Sequence, residues 1–473
     1  MIRQKDACCY TNFYNTLIKS LKVNDVIPLT DIEMISSIMT KNWQNYRHSF
    51  RQMWRSRKRF MSFLFAITFV ITLAITVTLS SIIPTLNAQA IAKEKQIPEL
   101  NRSSAPSSVI NPLANKRQEI RGVWLTSNDF SMFRDRQQLG EALQELNQLN
   151  FNTIYPVVWN SGYVMYPSKV AQDAGIQPFI YRGLQGQDIV ADIVAQGHQH
   201  NLLVIPWFEF GFMAPPTSEL AVEHPDWLTQ QRDGSKTSVT AAGEVSWLNP
   251  FHPEVQQFLT ELILEAVANY DLDGIQFDDH TSLPKTFGYD RYTLNLYRQE
   301  MKEEAPSDPN DPDWVRWRAN KITAFMAKLH KIVKQKKPNL IFSVSPNYYE
   351  FAYKQQLQDW LGWVRQGIVD ELLVQVYRNN PDDFRSQISR PEIVEVQNKI
   401  PTAIGILSGL RHSSVPISRI YSQAVNAKNN GLGVSFFYYK SLWGYGPETV
   451  AERQRDLQYL FRNPAPRFAD RSL

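Results

Sequence analysis

Between residues 119 and 462 the chain repeats one pattern: a short apolar run ending in polar or aromatic residues, then a longer amphipathic segment. The runs are Ile120 to Thr126, Thr153 to Trp159, Leu202 to Phe210, Gly274 to Asp279, Leu340 to Ser345, Asp370 to Tyr377, Pro401 to Leu407 and Gly433 to Tyr439. Between them, spacing predicts helices at Asp135–Asn150, Asp188–Asn201, Pro253–Tyr270, Tyr289–Glu304, Trp314–Lys336, Tyr353–Gln366, Asp382–Asn398 and Ile417–Asn430, with a last one at Glu448–Arg462. In the first helix Leu139, Leu143, Leu146 and Leu149 share a face, the mark of a helix laid on a sheet. Strands that alternate with helices must pair in parallel, and eight such units in about 350 residues is the count of an α/β fold of the (β/α)8 TIM-barrel type. The rival is an open doubly wound sheet. Its usual Gly-rich phosphate turn does not follow the first run, which favours the barrel.

The most informative run is Asp271-Leu-Asp-Gly-Ile-Gln-Phe-Asp-Asp-His280. A period of two directs Ile275 and Phe277 outward under helices, and Gln276 and Asp278 toward the barrel axis. Asp278 then stands at the carboxyl end of its strand, where barrel enzymes keep their chemistry and a carboxylate can act as nucleophile, acid or base. The plainer alternative is that Asp279 caps the next segment and Asp278 binds a backbone loop. The other strand ends bear on that choice. They offer Trp124, Trp159, Trp207 and Glu209, then His280, Asn347 and Tyr348, then Gln375 and Tyr377, and lastly Tyr439 and Trp443. Aromatic faces can stack on sugar rings while amides and acids take hydroxyls. Each residue also has a duller use: Trp124 and Trp159 as barrel plugs, Gln375 with Tyr377 as a core pair, His280 as a prop for a neighbouring acid. The coincidence of so many polar ends is harder to dismiss than any member. The seventh run ends Leu407-Ser-Gly409 and offers no acid.

The flanks give the address. Phe60 to Ile83 carries no charge, is long enough to cross a bilayer, and follows Arg51, Arg55, Arg57, Lys58 and Arg59. Positive charge stays inside, so the chain beyond is expected to be exported. Either residues 60–83 remain as a membrane anchor, with 1–59 cytoplasmic and the domain facing the periplasm, or Met53 is the true start and a signal peptide is cut near Ala90. In the second case residues 1–52 would not be translated. Residues 84–118 have linker composition, rich in Pro, Ser, Asn and Ala, and the folded domain is expected over 119–473. A net charge of +4 is no footprint of a nucleic-acid binder. The only cysteines, Cys8 and Cys9, cannot staple the domain, and no zinc spacing appears. Neither metal nor cofactor is expected.

Several motifs in order resemble the glycosyl hydrolase-like family 10 barrels: Glu119-Ile-Arg-Gly-Val-Trp-Leu-Thr126, Phe151-Asn-Thr-Ile-Tyr-Pro-Val-Val-Trp159, Trp247-Leu-Asn-Pro250, Asp271 to Asp279, Ser343-Val-Ser-Pro346, Val374-Gln-Val-Tyr377 and Gly433 to Tyr438. The resemblance spans Glu119 to about Arg462. It implies a (β/α)8 fold and glycoside hydrolysis outside the cytoplasm. One bacterial relative is linked to cleavage of peptidoglycan glycan strands, which points to the bacterial wall. Two positions depart from the family: Trp207-Phe-Glu-Phe210 replaces the usual Trp-Phe-Asn-Pro, and Gln276 stands where relatives carry His.

The expected activity is two-carboxylate glycoside hydrolysis, with Asp278 as nucleophile or base and Glu209 or Asp279 as general acid. If the strand continues, Asp278 and Asp279 point to opposite faces, so they are not expected to be the pair. The competing expectation is a barrel that binds glycan at the membrane without turning it over.

Overall fold

The computed structural model describes residues 118–467, apart from 134, 178–186, 241–242, 411–412, 445 and 466. The expected spanning segment, the cleavage site and the linker lie outside the described residues. Among the described residues no helix is long and apolar enough to cross a membrane.

Eight parallel strands form the core: Arg121–Leu125, Thr153–Pro156, a third in two pieces (Leu203–Val204 and Trp207–Phe208), Gly274–Asp278, Ile341–Ser345, Glu371–Gln375, Thr402–Leu407 and Gly433–Phe437. Each pairs in parallel with the next, and the eighth pairs with the first through Arg121 and Val434, Gly122 and Ser435, Val123 and Phe436. The third strand closes the ring. Its first piece pairs with the second strand and its second piece with the fourth. The break falls at Pro206, which has no N–H for the ladder, but its carbonyl still accepts from Gln276 N at 2.8 Å. The result is a closed α/β barrel, and the open-sheet alternative falls.

The helices correct the sequence reading in two places. One helix was expected over Tyr353–Gln366, but there are two, Tyr349–Gln356 and Trp360–Arg365, parted by Leu357 at φ 54°. The segment Asp382–Asn398 likewise divides into Pro381–Ile388 and Pro391–Gln397. Pro391 disfavours helical geometry at the residue before it, so the first helix must stop.

Two apolar layers result. Outward strand residues such as Ile275, Phe277, Phe342 and Val374 pack under the helices, while Trp124, Tyr155, Trp207, Leu373 and Tyr438 fill the barrel. The aromatic interior needs a small neighbour: a Cβ on Gly122 would lie 2.6 Å from the Tyr155 ring. Below the aromatics lies a polar chain. Trp124 Nε1 donates to Gln276 Oε1 (2.7 Å), Gln276 Nε2 to Ser343 Oγ (2.9 Å), and Ser343 Oγ and Tyr155 OH both to Glu371 Oε1 (2.8 Å each). Arg467, from the C-terminal segment, pairs with Glu371, and both side chains are almost fully buried. Breaking one side of such a pair leaves a bare charge in a medium that cannot solvate it. Glu371→Gln is therefore expected to cost about 3–5 kcal/mol of stability, read by urea unfolding. A loss below about 1 kcal/mol, the range of exposed pairs, would show that the pair is effectively solvated.

Candidate active site

The fourth strand ends at Asp278, and the alternation expected there holds. Ile275 and Phe277 are 0% and 3% exposed in the outer layer, while Gln276 and Asp278 face inward. Register sets Gln276 beside Trp207 and Asp278 beside Ser345. Trp207 thereby reaches Asp278, its indole Nε1 donating to Oδ2 at 3.2 Å. Glu209, two residues on from Trp207, shares that side of the chain. Its Oε2 accepts a short hydrogen bond from Asn160 Nδ2, in the small hairpin that follows the second strand.

His280 ties these acids together. Its backbone N donates to Asp278 Oδ1 at 2.9 Å, and its Nδ1 lies 3.1 Å from the same oxygen and 3.0 Å from the Glu209 carbonyl. Both neighbours are acceptors, so Nδ1 carries a proton. The chain turns here, with Thr281 N donating to Asp278 O at 3.2 Å. That turn overrides the expectation that Asp278 and Asp279 diverge: Asp279 Oδ1 lies 3.9 Å from His280 Nδ1. Asp279 also accepts from Asn347 Nδ2 (2.8 Å), Gln375 Nε2 (3.2 Å) and Gln356 Nε2 (3.4 Å). The hairpin after the second strand, the ends of the third to sixth strands and the helix after the fifth strand thus converge on one cluster of three acids and an imidazole.

Burial, and then the neighbouring Asp278 charge, push the Glu209 carboxyl up to about 7. Asp278 rises to about 6, again through burial, with the His280 charge and its hydrogen bonds pulling the other way. Burial would lower His280, but Asp278 and Asp279 outweigh it and lift the imidazole to about 10. The imidazolium is what lets two adjacent carboxylates coexist. Ligand atoms of Asp278, Asp279 and His280 lie within 4.8 Å of one another, close enough to surround a cation. Asp278 Oδ1 and His280 Nδ1, however, already satisfy each other.

The turn depends on Gly211. With φ at +47°, a Cβ here would stand 2.4 Å from the His280 carbonyl oxygen. Nearby, Phe212 N donates to that oxygen at 3.0 Å, which joins the turn to a small antiparallel sheet of Met213–Ala214, Thr237–Thr240 and Gly243–Trp247. Gly211→Ala should displace His280 and lower kcat by about ten- to a hundredfold. An unchanged kcat would show that the turn tolerates the shift.

Of the expected site residues, the structure brings together Asp278, Asp279, His280, Glu209, Trp207, Asn347 and Gln375, with Tyr377 beside them. Burial and then the charges of Asp279 and Asp278 hold the Tyr377 hydroxyl well above the usual phenol range. Tyr348 is half-buried at the rim. Five residues lie elsewhere. Trp124 and Gln276, at 1% and 0% exposure, belong to the barrel filling. Trp159 is fully buried in the outer layer, with its ring 6.0 Å from Phe258 and its Nε1 donating to Gly211 O. The eighth strand stops at Phe437, and Tyr439 and Trp443 sit on the short helix Tyr439–Trp443, packed on the outer layer. Phe437 takes the inner place, with its ring 5.8 Å from Tyr377 and 6.2 Å from Trp207. Asn160, Gln356 and Phe437 were not among the expected site residues. Asn160, in the hairpin after the second strand, was legible as a polar residue closing an apolar run. Gln356 is on a helix and carried no such signal.

The family model described as Glycosyl hydrolase-like 10 matches residues 119–426. Glycosyl hydrolase DigH of Escherichia coli strain K12 is 26% identical over 327 residues, covering 58% of this chain and 71% of its own. Glycosyl hydrolase YngK of Bacillus subtilis strain 168 is 22% identical over 297 residues, covering 56% of this chain and 55% of its own. Among solved structures, the PgaB (BpsB) glycoside hydrolase domain from Bordetella bronchiseptica superposes with a TM-score of 0.55 at 14% identity, covering 72% of this chain and 98% of that one. At that identity the likeness is one of fold.

Proposed function

Since this chain belongs to the glycosyl hydrolase-like 10 family, we propose that its barrel mouth hydrolyses O-glycosidic bonds of a polysaccharide with Asp278 and Glu209 as the working carboxyls. The observation that carries this reading is the pair itself. Asp278, buried at the end of the fourth strand, and Glu209, half-buried just beyond the third, sense each other, and burial lifts both carboxyls, Glu209 to about 7 and Asp278 to about 6. What distinguishes them is their donors, one amide for Glu209 and three N–H groups for Asp278. In this reading Glu209 is the acid that gives its proton to the leaving-group oxygen. Asp278 accepts from the Trp207 indole and from two N–H groups of His280, donors that favour its ionised form as nucleophile or base. His280 and Asp279 stand as positioning residues.

The substrate we propose is an extracytoplasmic glycan of the bacterial wall, reached from a membrane anchor or after secretion. The test is release of reducing ends from purified peptidoglycan by the full chain. Silence on peptidoglycan, chitin oligosaccharides and chromogenic sugars across pH 5 to 8 would overturn the catalytic reading. One observation favours a glycan-binding barrel instead: the seventh strand ends without an acid, and Ser408 there is buried against Ser441 Oγ at 2.8 Å. Glycan binding with no reducing ends released would establish that alternative.

A further inference from the structure

Arg378 follows the sixth strand, three residues beyond Gln375, on the rim of the mouth. It is half-buried, and its guanidinium carbon lies 5.2 Å from the centre of the Tyr348 ring. It forms no ion pair with any described residue. Its one side-chain hydrogen bond among them runs from Nη1 to the Tyr377 carbonyl at 3.2 Å. Arg390, nearby, behaves otherwise: its Nε donates to Glu392 at 2.6 Å and its Nη2 lies 3.7 Å from Glu350. A guanidinium offers five N–H donors in a planar fork, so most of those of Arg378 remain to be given. The loop that carries it is held in place. Gln423, itself 6% exposed, donates to the Arg378 carbonyl at 2.6 Å, and Arg419 Nη1 donates to Asn379 Oδ1 at 2.8 Å. The Tyr348 face thus orients the guanidinium while the buried Gln423 amide fixes the backbone beneath it.

We infer that Arg378, steadied by Tyr348, forms a subsite for a carboxylate carried by the glycan. This rests on the glycan-hydrolysing reading above and deepens it by naming a substituent. The planar fork matches a carboxylate with two parallel hydrogen bonds. The charge also answers a problem of the site: with Glu209 protonated and His280 an imidazolium, Asp278 and Asp279 still leave a net negative charge that would repel an anionic sugar, and a cation on the rim between the fifth and sixth strands offsets that repulsion.

The test is a calorimetric titration of the full chain in the Asp278→Asn background, which stops turnover. The probes are chitotetraose and the same tetrasaccharide oxidised to carboxylates at C6, so the two differ only at C6, a hydroxymethyl group against a carboxylate. The oxidised form should bind about tenfold tighter, with the preference shrinking as salt rises. Arg378→Gln should erase that preference while chitotetraose affinity stays in place, and Arg378→Lys should keep part of it. Equal binding of the two probes, or a preference that survives Arg378→Gln, overturns the carboxylate subsite alone. If neither probe binds, the subsite falls too, and the preceding reading falls with it only if the unmutated chain also releases no reducing ends.

Discussion

Asp278→Asn should abolish hydrolysis, lowering kcat by about a thousandfold or more, while the barrel stays folded. The substitution is nearly isosteric and leaves an acceptor for the Trp207 indole, so packing around the fourth strand should hold. What disappears is the charge. An amide can neither attack an anomeric carbon nor activate a water, and losses of that size follow when a positioned nucleophile or base is removed. Measured together, reducing-end release and thermal unfolding decide the matter. Full activity in a folded variant would take Asp278 out of the mechanism and shift attention to Asp279, which shares His280 with it.

Glu209→Gln should cost about 10²- to 10⁴-fold on natural glycans, the range for a lost general acid. It should cost far less on aryl glycosides whose leaving group departs without a proton. The pH profile makes the same assignment independently. Asp278 must be ionised, so activity should fall as pH drops through about 6. Glu209 must be protonated, so activity should fall as pH rises through about 7. The parent enzyme should show a narrow bell, and Glu209→Gln should lose the alkaline limb while keeping the acid one. An unchanged alkaline limb would assign it to another group.

Much of this was legible in the sequence because barrel strands obey a simple rule. Side chains alternate in and out, and the polar end of each run marks the mouth. Asp278, Glu209, Asn347 and Gln375 were found that way, and the structure gathers them. The rule failed where it lacked information about depth. Trp124 and Gln276 face inward as expected, but one hydrogen bond binds them to each other, below the mouth. Trp159 and Tyr439 lie past the points where their strands stop being regular, so alternation no longer fixed their direction. The same limit hid the convergence of Asp278 and Asp279, because a turn at the strand end changes which way the second acid points.

By itself the sequence determined the repeating strand and helix pattern, and with it a parallel barrel with acids at one end, since hydrophobic period and strand polarity are local properties. The tertiary structure alone decided which acids share an environment. His280 bridges Asp278 and Asp279 because Gly211 leaves room for its carbonyl, and Glu209 senses Asp278 because the third strand, broken at Pro206, still pairs with the fourth. Proton affinities depend on burial and on charges a few ångströms away, and those distances exist only once the ring has closed.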